Sequence, residues 1–263
     1  MRPTDDLDAI VTAIRAGAGY RLLAEELVRA VAAAELPKRR SAKDVVKAAR
    51  SKLHQLVGAY DDLPRDALTR LKDAEPAELP AVARELLASH ASTRERLPAY
   101  QTFWQTVLRD MAPPATVLDL ACGLNPLSLT AGALPAETVY RACDVHLGLL
   151  ELCGGYLARL GQPHEVFAHD LLSGPPAGPA DLVLLLKTIP CLEQADKAAG
   201  RRLLAAIEAP VLVVSYPVRS LGGKQVGMAD HYAARLTDLL RGLPWQSELL
   251  DPEGELVYRL TRA

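Results

Sequence analysis

From Thr116 to the end of the chain, short apolar runs alternate with stretches of helical periodicity, and this alternation constrains the fold more than any other feature. The runs are Thr116–Ala121, Thr138–Cys143, Glu165–Ala168, Asp181–Leu186, Val211–Tyr216 and Leu256–Thr261. Strands joined through helices pair in parallel, because a parallel neighbour is reached only by a long crossover. The expectation is an α/β, Rossmann-like domain over residues 112–263, with a mainly parallel sheet of the seven-stranded type. The residues before it read differently. From Leu7 to about Met111, apolar side chains recur at spacings of three and four, as in Leu7, Ile10, Val11 and Ile14, and prolines at 37, 64, 76 and 80 punctuate the segments. An all-helical N-terminal domain over residues 1–111 is expected, with Pro113-Pro114 at the boundary.

The length of 263 residues suits one large or two modest domains, and 49% hydrophobic with 24% charged residues is ordinary for a globular protein. No apolar run approaches the roughly 20 residues that span a bilayer. The N-terminus, Met1-Arg2-Pro3-Thr4-Asp5-Asp6, lacks the layout of a signal peptide. A cytoplasmic protein with no membrane association is expected. Cys122, Cys143, Cys153 and Cys191 have no metal-ligand spacing, so they are expected to be reduced and partly buried, and no metal is expected. A net charge of −2 gives no global case for nucleic acid; the distribution of charge does.

The stretch Val117-Leu-Asp-Leu-Ala-Cys-Gly-Leu-Asn-Pro126 reads as a buried strand entering a tight turn, followed by a helix from near Pro126 or Leu127. Ligands of open α/β sheets sit beside such turns, at the carboxyl ends of strands. Gly123 lets the backbone approach the ligand, and Asp119 can support the loop or a ligand amino group. The dinucleotide fingerprint needs three glycines and this turn has one, which excludes a pyrophosphate cradle. S-adenosylmethionine, with an amino acid where a dinucleotide has phosphates, suits it. Asp144 and Asp170 end the next two strands, where they can take ribose hydroxyls and the adenine amino group, with Leu171 against the ring. Each acid alone also fits a helix N-cap; three in register favour the cofactor.

Methyltransferases of this architecture place the acceptor beyond the fourth strand, here at Lys187-Thr-Ile-Pro-Cys-Leu-Glu-Gln194. The segment lacks the pattern used for exocyclic amines. Pro190-Cys191 matches the nucleophile of cytosine-C5 enzymes, with Glu193 as an acid for the ring nitrogen, but no second motif of that family is present. A small-molecule acceptor is the other alternative. Upstream, Lys38, Arg39, Arg40, Lys43, Lys47, Arg50 and Lys52 face a single acid, Asp44. With Ser41 as N-cap, Lys43, Lys47, Arg50 and His54 fall on one helical stripe, and Val46, Ala49, Leu53, Leu56 and Val57 on a separate apolar face. A stripe of one sign, away from the core, is the footprint of phosphate contact. Trp104 and Trp245 read as packing residues; His231 and Tyr232 have no assignment.

Four segments carry a resemblance. His90-Ala-Ser-Thr-Arg-Glu-Arg96, Asp119-Leu-Ala-Cys-Gly-Leu-Asn-Pro-Leu127, Leu186-Lys-Thr-Ile-Pro-Cys-Leu-Glu-Gln194 and Val214-Ser-Tyr-Pro-Val-Arg-Ser-Leu-Gly-Gly223 are similar, in this order, to the Arm/Rmt-type aminoglycoside-resistance methyltransferases. That family modifies N7 of guanine 1405 in 16S rRNA. The resemblance implies S-adenosylmethionine as cofactor, S-adenosylhomocysteine as product, and the assembled 30S subunit as partner of a monomeric enzyme whose helical extension helps recognise it. It implies that Arg96 reaches the cofactor carboxylate, that Gly123, Asp144, Asp170 and Gln194 line the pocket, and that Lys187 and Glu193 serve activity by positioning the guanine. Ala121, Val145 and Leu186, adjoining these, complete the expected cofactor site. The loop Arg219–Lys224 joins the basic helix as an expected RNA contact.

Overall fold

The computed structural model describes residues 3–57, 63–217, 228–250 and 255–262. The N-terminal segment runs through α1 (Pro3–Arg15), α2 (Glu25–Glu35), α3 (Ala42–Val57), α4 (Ala67–Asp73), α5 (Leu79–Ser89), the single turn α6 (Ala91–Arg94) and α7 (Tyr100–Leu108). Next come β1 (Thr116–Leu120), β2 (Val139–Asp144), α8 (Leu147–Leu160), β3 (His164–Ala168), β4 (Leu182–Leu186), α9 (Ile189–Ala195), α10 (Ala199–Ala206) and β5 (Val211–Pro217). The described chain ends with α11 (Met228–Leu240), β6 (Trp245–Leu250) and β7 (Glu255–Arg262). The seven strands form one sheet in the order β3-β2-β1-β4-β5-β7-β6, in which β1 to β5 are parallel and β7 is antiparallel to both neighbours. The expected α/β architecture is present. β6 is not among the apolar runs because it is an edge strand, buried only at Trp245 and Leu250 with four exposed residues between.

One expected element is absent. The glycine turn does not lead into a helix; a 3-10 turn, Asn125–Ser128, follows it, and Leu129 is already extended. Gly132, with φ 76°, and Pro135 follow closely and break any continuation. Helices from the N-terminal segment supply the cover. Leu79, Leu86 and Leu87 of α5 pack with Leu124 and Leu127 of the turn and with Leu149, Leu152 and Tyr156 of α8. Phe103, Trp104 and Val107 of α7 share a core with Val117, Tyr140 and Leu184 on one sheet face. The Trp104 indole donates to Ser128 Oγ at 2.9 Å, and that of Trp245 donates to the Leu204 carbonyl at 3.0 Å, so both tryptophans are packing residues. The opposite sheet face carries α10 and α11 through Leu203, Leu204, Leu236 and Leu239.

Strands begin after Pro113-Pro114, but the packing divides earlier. α4, α5 and α7 share cores with the sheet half, whereas α1 to α3 have a core largely their own, built on Ile10, Ile14, Leu27, Val28, Ala49 and Leu53. This three-helix unit is fastened at the end of β2. The Ala24 N–H donates to the Val145 carbonyl at 2.8 Å, and the Leu147 N–H donates to the Leu22 carbonyl at 2.7 Å. Val145 also packs against the unit's core. The unit is thereby held over the carboxyl ends of the strands.

Candidate active site

A cleft partly open to solvent lies at those strand ends. Of the residues expected to hold a cofactor, Arg96, Ala121, Gly123, Asp144, Val145, Asp170, Leu171 and Leu186 line it together, and Lys187 joins them. Leu27, Leu56 and Val57 of the three-helix unit form part of its wall. The backbone is tightest where the strands end. Ala121, Gly123 and Lys187 have φ of 50°, 52° and 56°, a left-handed conformation that costs a non-glycine residue and collects at functional sites.

Each acid at a strand end has a defined task. Asp144 Oδ2 accepts from the Gly123 N–H at 2.9 Å and Oδ1 from the His146 N–H at 3.0 Å, which ties the glycine turn to the end of β2. Burial raises the pKa of Asp144. Each of its oxygens keeps lone pairs for hydroxyl donors. Asp170 accepts from the Leu172 N–H at 3.0 Å and so caps a short 3-10 turn beside the cleft. Asp119 does not line the cleft. It lies beneath it, 1% exposed, with Oδ2 accepting from Asn125 Nδ2 at 2.9 Å and Tyr140 Oη at 2.8 Å. Its Oδ1 is buried without a partner, and burial pushes its pKa up to about 6.

A buried charge network crosses the back of the cleft. Arg96 donates through Nε and Nη2 to both oxygens of Glu255, at 2.7 and 2.8 Å, and through Nη1 to Asn125 Oδ1 at 2.6 Å. Its guanidinium also lies 4.2 Å from the Phe103 ring centroid. Ser215 Oγ donates to Glu255 as well. Lys187 Nζ donates to the Ser92 carbonyl and to Glu95, each at 2.8 Å, and lies 3.8 Å from Glu255. Burial pushes the Glu255 carboxyl up, but Arg96, Lys187 and Ser215 outweigh it and hold the pKa below the ordinary value. Glu255 follows Asp251-Pro-Glu-Gly254, where nothing in the sequence separates it from turn acids. Tyr140, which with Asn125 completes the chain from Arg96 to Asp119, carries no sequence signal either.

Three residues of α9 are placed differently from the rest of the expected site. Glu193 is not on the cleft; its carboxylate is held by the Arg235 guanidinium on α11, with Nε at 3.2 Å. It faces sideways because the cleft wall of α9 is formed by Cys191 and Leu192. Gln194 opens instead into a neighbouring groove beneath α2 and α3. Cys191 is exposed at the cleft rim, unlike the other three cysteines, which are buried. Protein atoms still desolvate its thiol and raise its pKa, and its Sγ lies 3.8 Å from the Lys187 carbonyl oxygen. Such a thiol is not activated as a nucleophile.

The basic helix divides into free and committed cations. Ser41 caps α3, accepting from the Asp44 N–H at 3.2 Å. Its buried stripe is Val45, Ala49, Leu53 and Val57, a run of i+4 steps, with Val46 and Leu56 at its margins. Arg50 donates to the Ala13 and Ile14 carbonyls at the end of α1 and lies over the Tyr20 ring, so it is a structural group. Lys38, Arg39 and Lys52 converge on Glu35, which is 1% exposed, at 3.1, 2.8 and 2.7 Å. They hold its pKa at about 2, through Lys52 and Lys38 first. Among the described residues, Arg40, Lys43 and Lys47 have no ion-pair partner and are exposed. Arg219 and Lys224 lie outside the described residues.

The ribosomal RNA methyltransferase (FmrO) family model matches residues 16–258. A 16S rRNA (guanine(1405)-N(7))-methyltransferase from Micromonospora echinospora is 34% identical over 265 residues, 97% of either chain. The protein of the same name from Serratia marcescens is 34% identical over 260 residues, covering 98% of this chain and 99% of its own. Among solved structures, the 16S rRNA methyltransferase RmtF in complex with S-adenosyl-L-homocysteine superposes with a TM-score of 0.82 at 36% identity, over the full length of both chains. With the cleft, nearly all of the sheet and the helical extension from α2 onward inside the matched region, the chain belongs to the FmrO family of ribosomal RNA methyltransferases.

Proposed function

We propose that the chain methylates N7 of guanine 1405 in the 16S rRNA of the assembled 30S subunit, using S-adenosylmethionine, and thereby confers aminoglycoside resistance. The observation that carries this reading is the near-full-length identity to proteins of that activity, which spans the three-helix unit as well as the cleft. No described helix is long and apolar enough to cross a membrane. The reading places the enzyme in the cytoplasm with its substrate, acting as a monomer.

The cleft fits the cofactor chemically. A ligand ammonium needs an acid, and Asp119 offers a buried oxygen without a partner. A ribose needs acceptors beside a glycine turn, which Asp144 provides. A carboxylate needs a cation. Arg96 has donors on Nη1 and Nη2 beyond those given to Asn125 and Glu255. Asp170 and Leu171 are left for the adenine, with Ala121, Val145 and Leu186 as apolar walls. When bound, S-adenosylmethionine supplies an electrophilic methyl group on a sulfonium sulfur.

Guanine N7 has an available lone pair at neutral pH, so the chain needs no general base and contributes mainly alignment. N7 lies in the deep groove of A-form RNA, which side chains do not enter, and the guanine must leave its stack at a cost of a few kcal/mol. Lys187, on the cleft wall and braced by Glu95 and the Ser92 carbonyl, positions the flipped base. Glu193 acts through α9, where its pair with Arg235 fixes the helix that carries Cys191 and Leu192. Arg40, Lys43 and Lys47 supply phosphate contacts that offset the flipping cost. The test is the position of methyl label in 16S rRNA after reaction with 30S subunits. 7-Methylguanosine at 1405 is expected; label at another nucleotide, or transfer only to small molecules, overturns the reading.

A further inference from the structure

We propose that Cys122 and Cys153, behind the glycine turn, form a two-sulfur site for a soft, two-coordinate metal cation whose binding opposes that of the cofactor. The site is separate from methyl transfer and does not depend on which nucleotide is methylated. Cys122 stands just after β1 and Cys153 in the middle of α8, and only the fold brings them together. Both thiols donate to one acceptor, the Gly123 carbonyl, with Cys153 Sγ at 3.2 Å and Cys122 Sγ at 3.7 Å. Cys122 is 5% exposed and lines the cleft, while Cys153 is fully buried. Cys143, the third buried cysteine, belongs to the core on the opposite face of the sheet.

The surroundings choose the ion. The Cys153 thiol, burial, and the Asp119 and Asp144 carboxyls push the Cys122 thiol well above its ordinary pKa. It is therefore protonated, and a poor nucleophile toward peroxides or disulfides. A metal that takes the pair must displace two protons, which demands a high affinity for sulfur. Burial adds a second condition. Net charge is costly in such a place, whereas a divalent cation on two thiolates gives a neutral complex. Zinc takes four ligands, and among the described residues no group of three or more His, Cys, Asp and Glu is placed to hold it. A soft divalent ion satisfied by two sulfurs, of which Hg²⁺ is the type, meets both conditions. Two S–H bonds break, two S–metal bonds form, and both protons leave to solvent.

Entry and consequence both follow from the cleft. Cys191 is exposed on its rim and Cys122 lines it, so a thiol-seeking ion has a route by ligand exchange from the surface to the pair. Bridging the sulfurs takes both thiol hydrogens from the Gly123 carbonyl and ties Cys122 to α8. The turn so constrained is the one that Asp144 holds through the Gly123 N–H, with Gly123 at φ 52°. Metal binding therefore distorts the turn on which the cofactor sits. By linkage, a bound cofactor weakens the metal by the same factor.

The test uses Hg²⁺ and the full chain. Wild type, Cys153→Ala and Cys153→Ser each receive one equivalent, are desalted in excess glutathione, and are assayed for bound metal. Calorimetry then gives the affinity of each for S-adenosylhomocysteine, relative to the metal-free protein of the same variant. Wild type should retain one ion per chain, because two sulfurs held together outlast a competing monothiol. Its affinity for S-adenosylhomocysteine should fall by about tenfold or more and recover when a small dithiol removes the metal. Both variants should yield the ion to glutathione and show no metal-dependent change. Serine keeps the size of the thiol, so Cys153→Ser decides the matter if the alanine variant does not fold. Metal retained by both variants lies elsewhere and overturns the pair, as does metal lost from the wild type. Metal held by the wild type with unchanged affinity for S-adenosylhomocysteine overturns the opposition between the two ligands.

Discussion

Two buried carboxylates, one in the three-helix unit and one under the cleft, have opposite environments. Glu35 is surrounded by Lys38, Arg39 and Lys52, and its pKa falls to about 2. Asp119 has two neutral donors on one oxygen and none on the other, and its pKa rises to about 6. The first acid is saturated: every interaction it can use is made within the fold, and its work is to hold α2, the following turn and α3 together. The second is unsaturated, and an unpaired buried acceptor costs free energy until a ligand satisfies it. Glu35 is thus a structural acid, whereas Asp119 keeps an oxygen that the described residues leave unpaired.

The largest effect is expected where both kinds of environment meet. Glu255 is fully satisfied like Glu35 but lies behind the cleft, as Asp119 lies beneath it, and it neutralises Arg96 while facing Lys187. Glu255→Ala leaves Arg96 buried at 4% exposure without its counter-charge, and breaking such a pair costs about 3 kcal/mol. A fall in the denaturant midpoint together with loss of methylation is expected. If stability is unchanged, the network is not the keystone of the cleft's back wall.

Asp119 comes next. Asp119→Asn should weaken S-adenosylhomocysteine binding by about 2 kcal/mol, on the order of 30-fold, by removing the acid for a ligand ammonium. The pH dependence gives the sharper readout. A ligand cation prefers the ionised acid, so wild-type affinity should rise as pH increases through about 6, with proton release on binding. In the free protein the sign reverses. The folded pKa lies above the ordinary value of 3.8, so the native state holds a proton that the unfolded chain has lost, and this group makes the fold less stable as pH rises from about 4 to about 6. Asp119→Asn should remove most of the slope in both experiments, and a slope that survives intact would assign it to another group.

Glu35 provides the smaller, opposite case. Its folded pKa lies below the ordinary value, so its stabilisation is complete above pH 4.5 and is lost as pH falls toward about 2. Its three partners are about half exposed, which screens the pairs, and Glu35→Gln should cost about 1 kcal/mol. Thermal unfolding at neutral pH and at pH 3 measures the difference, which should shrink at the lower pH. An undiminished difference would mean that packing, not charge, is what Glu35 supplies.

This contrast also explains what could be read in the sequence. Strand positions were legible because burial on both faces writes continuous apolar runs, as in Leu182–Leu186, and β6 was not because its middle four residues are exposed. Asp144 and Asp170 were legible because a strand end fixes where an acid must lie. Glu255 was not, because its partner Arg96 is 159 positions away and only the fold brings them together. Among the cations of the basic segment, composition marked the cluster but could not tell Arg50, spent on the carbonyls of α1, from Lys47, which has no ion-pair partner among the described residues. Glu193 shows the same limit: its position in the motif placed it at the cleft, and the geometry gives it to Arg235.

The smallest effect is predicted at Cys191, and it discriminates between chemistries because it is small. A cytosine-C5 mechanism requires a thiolate that adds to the ring, so that route loses all turnover in Cys191→Ala. The thiol lies 3.8 Å from a backbone carbonyl, and desolvation raises its pKa, away from the thiolate. Transfer to guanine N7 uses the lone pair of the base and needs nothing from the sulfur. Alanine removes a side chain at the exposed rim of the cleft, leaving the back wall and Asp119 untouched. Methylation of 30S subunits by Cys191→Ala should therefore stay within about twofold of wild type, a change typical of a surface substitution away from any network. Abolished turnover with intact cofactor binding would instead make Cys191 a reacting group and move the acceptor from a ring nitrogen to a ring carbon.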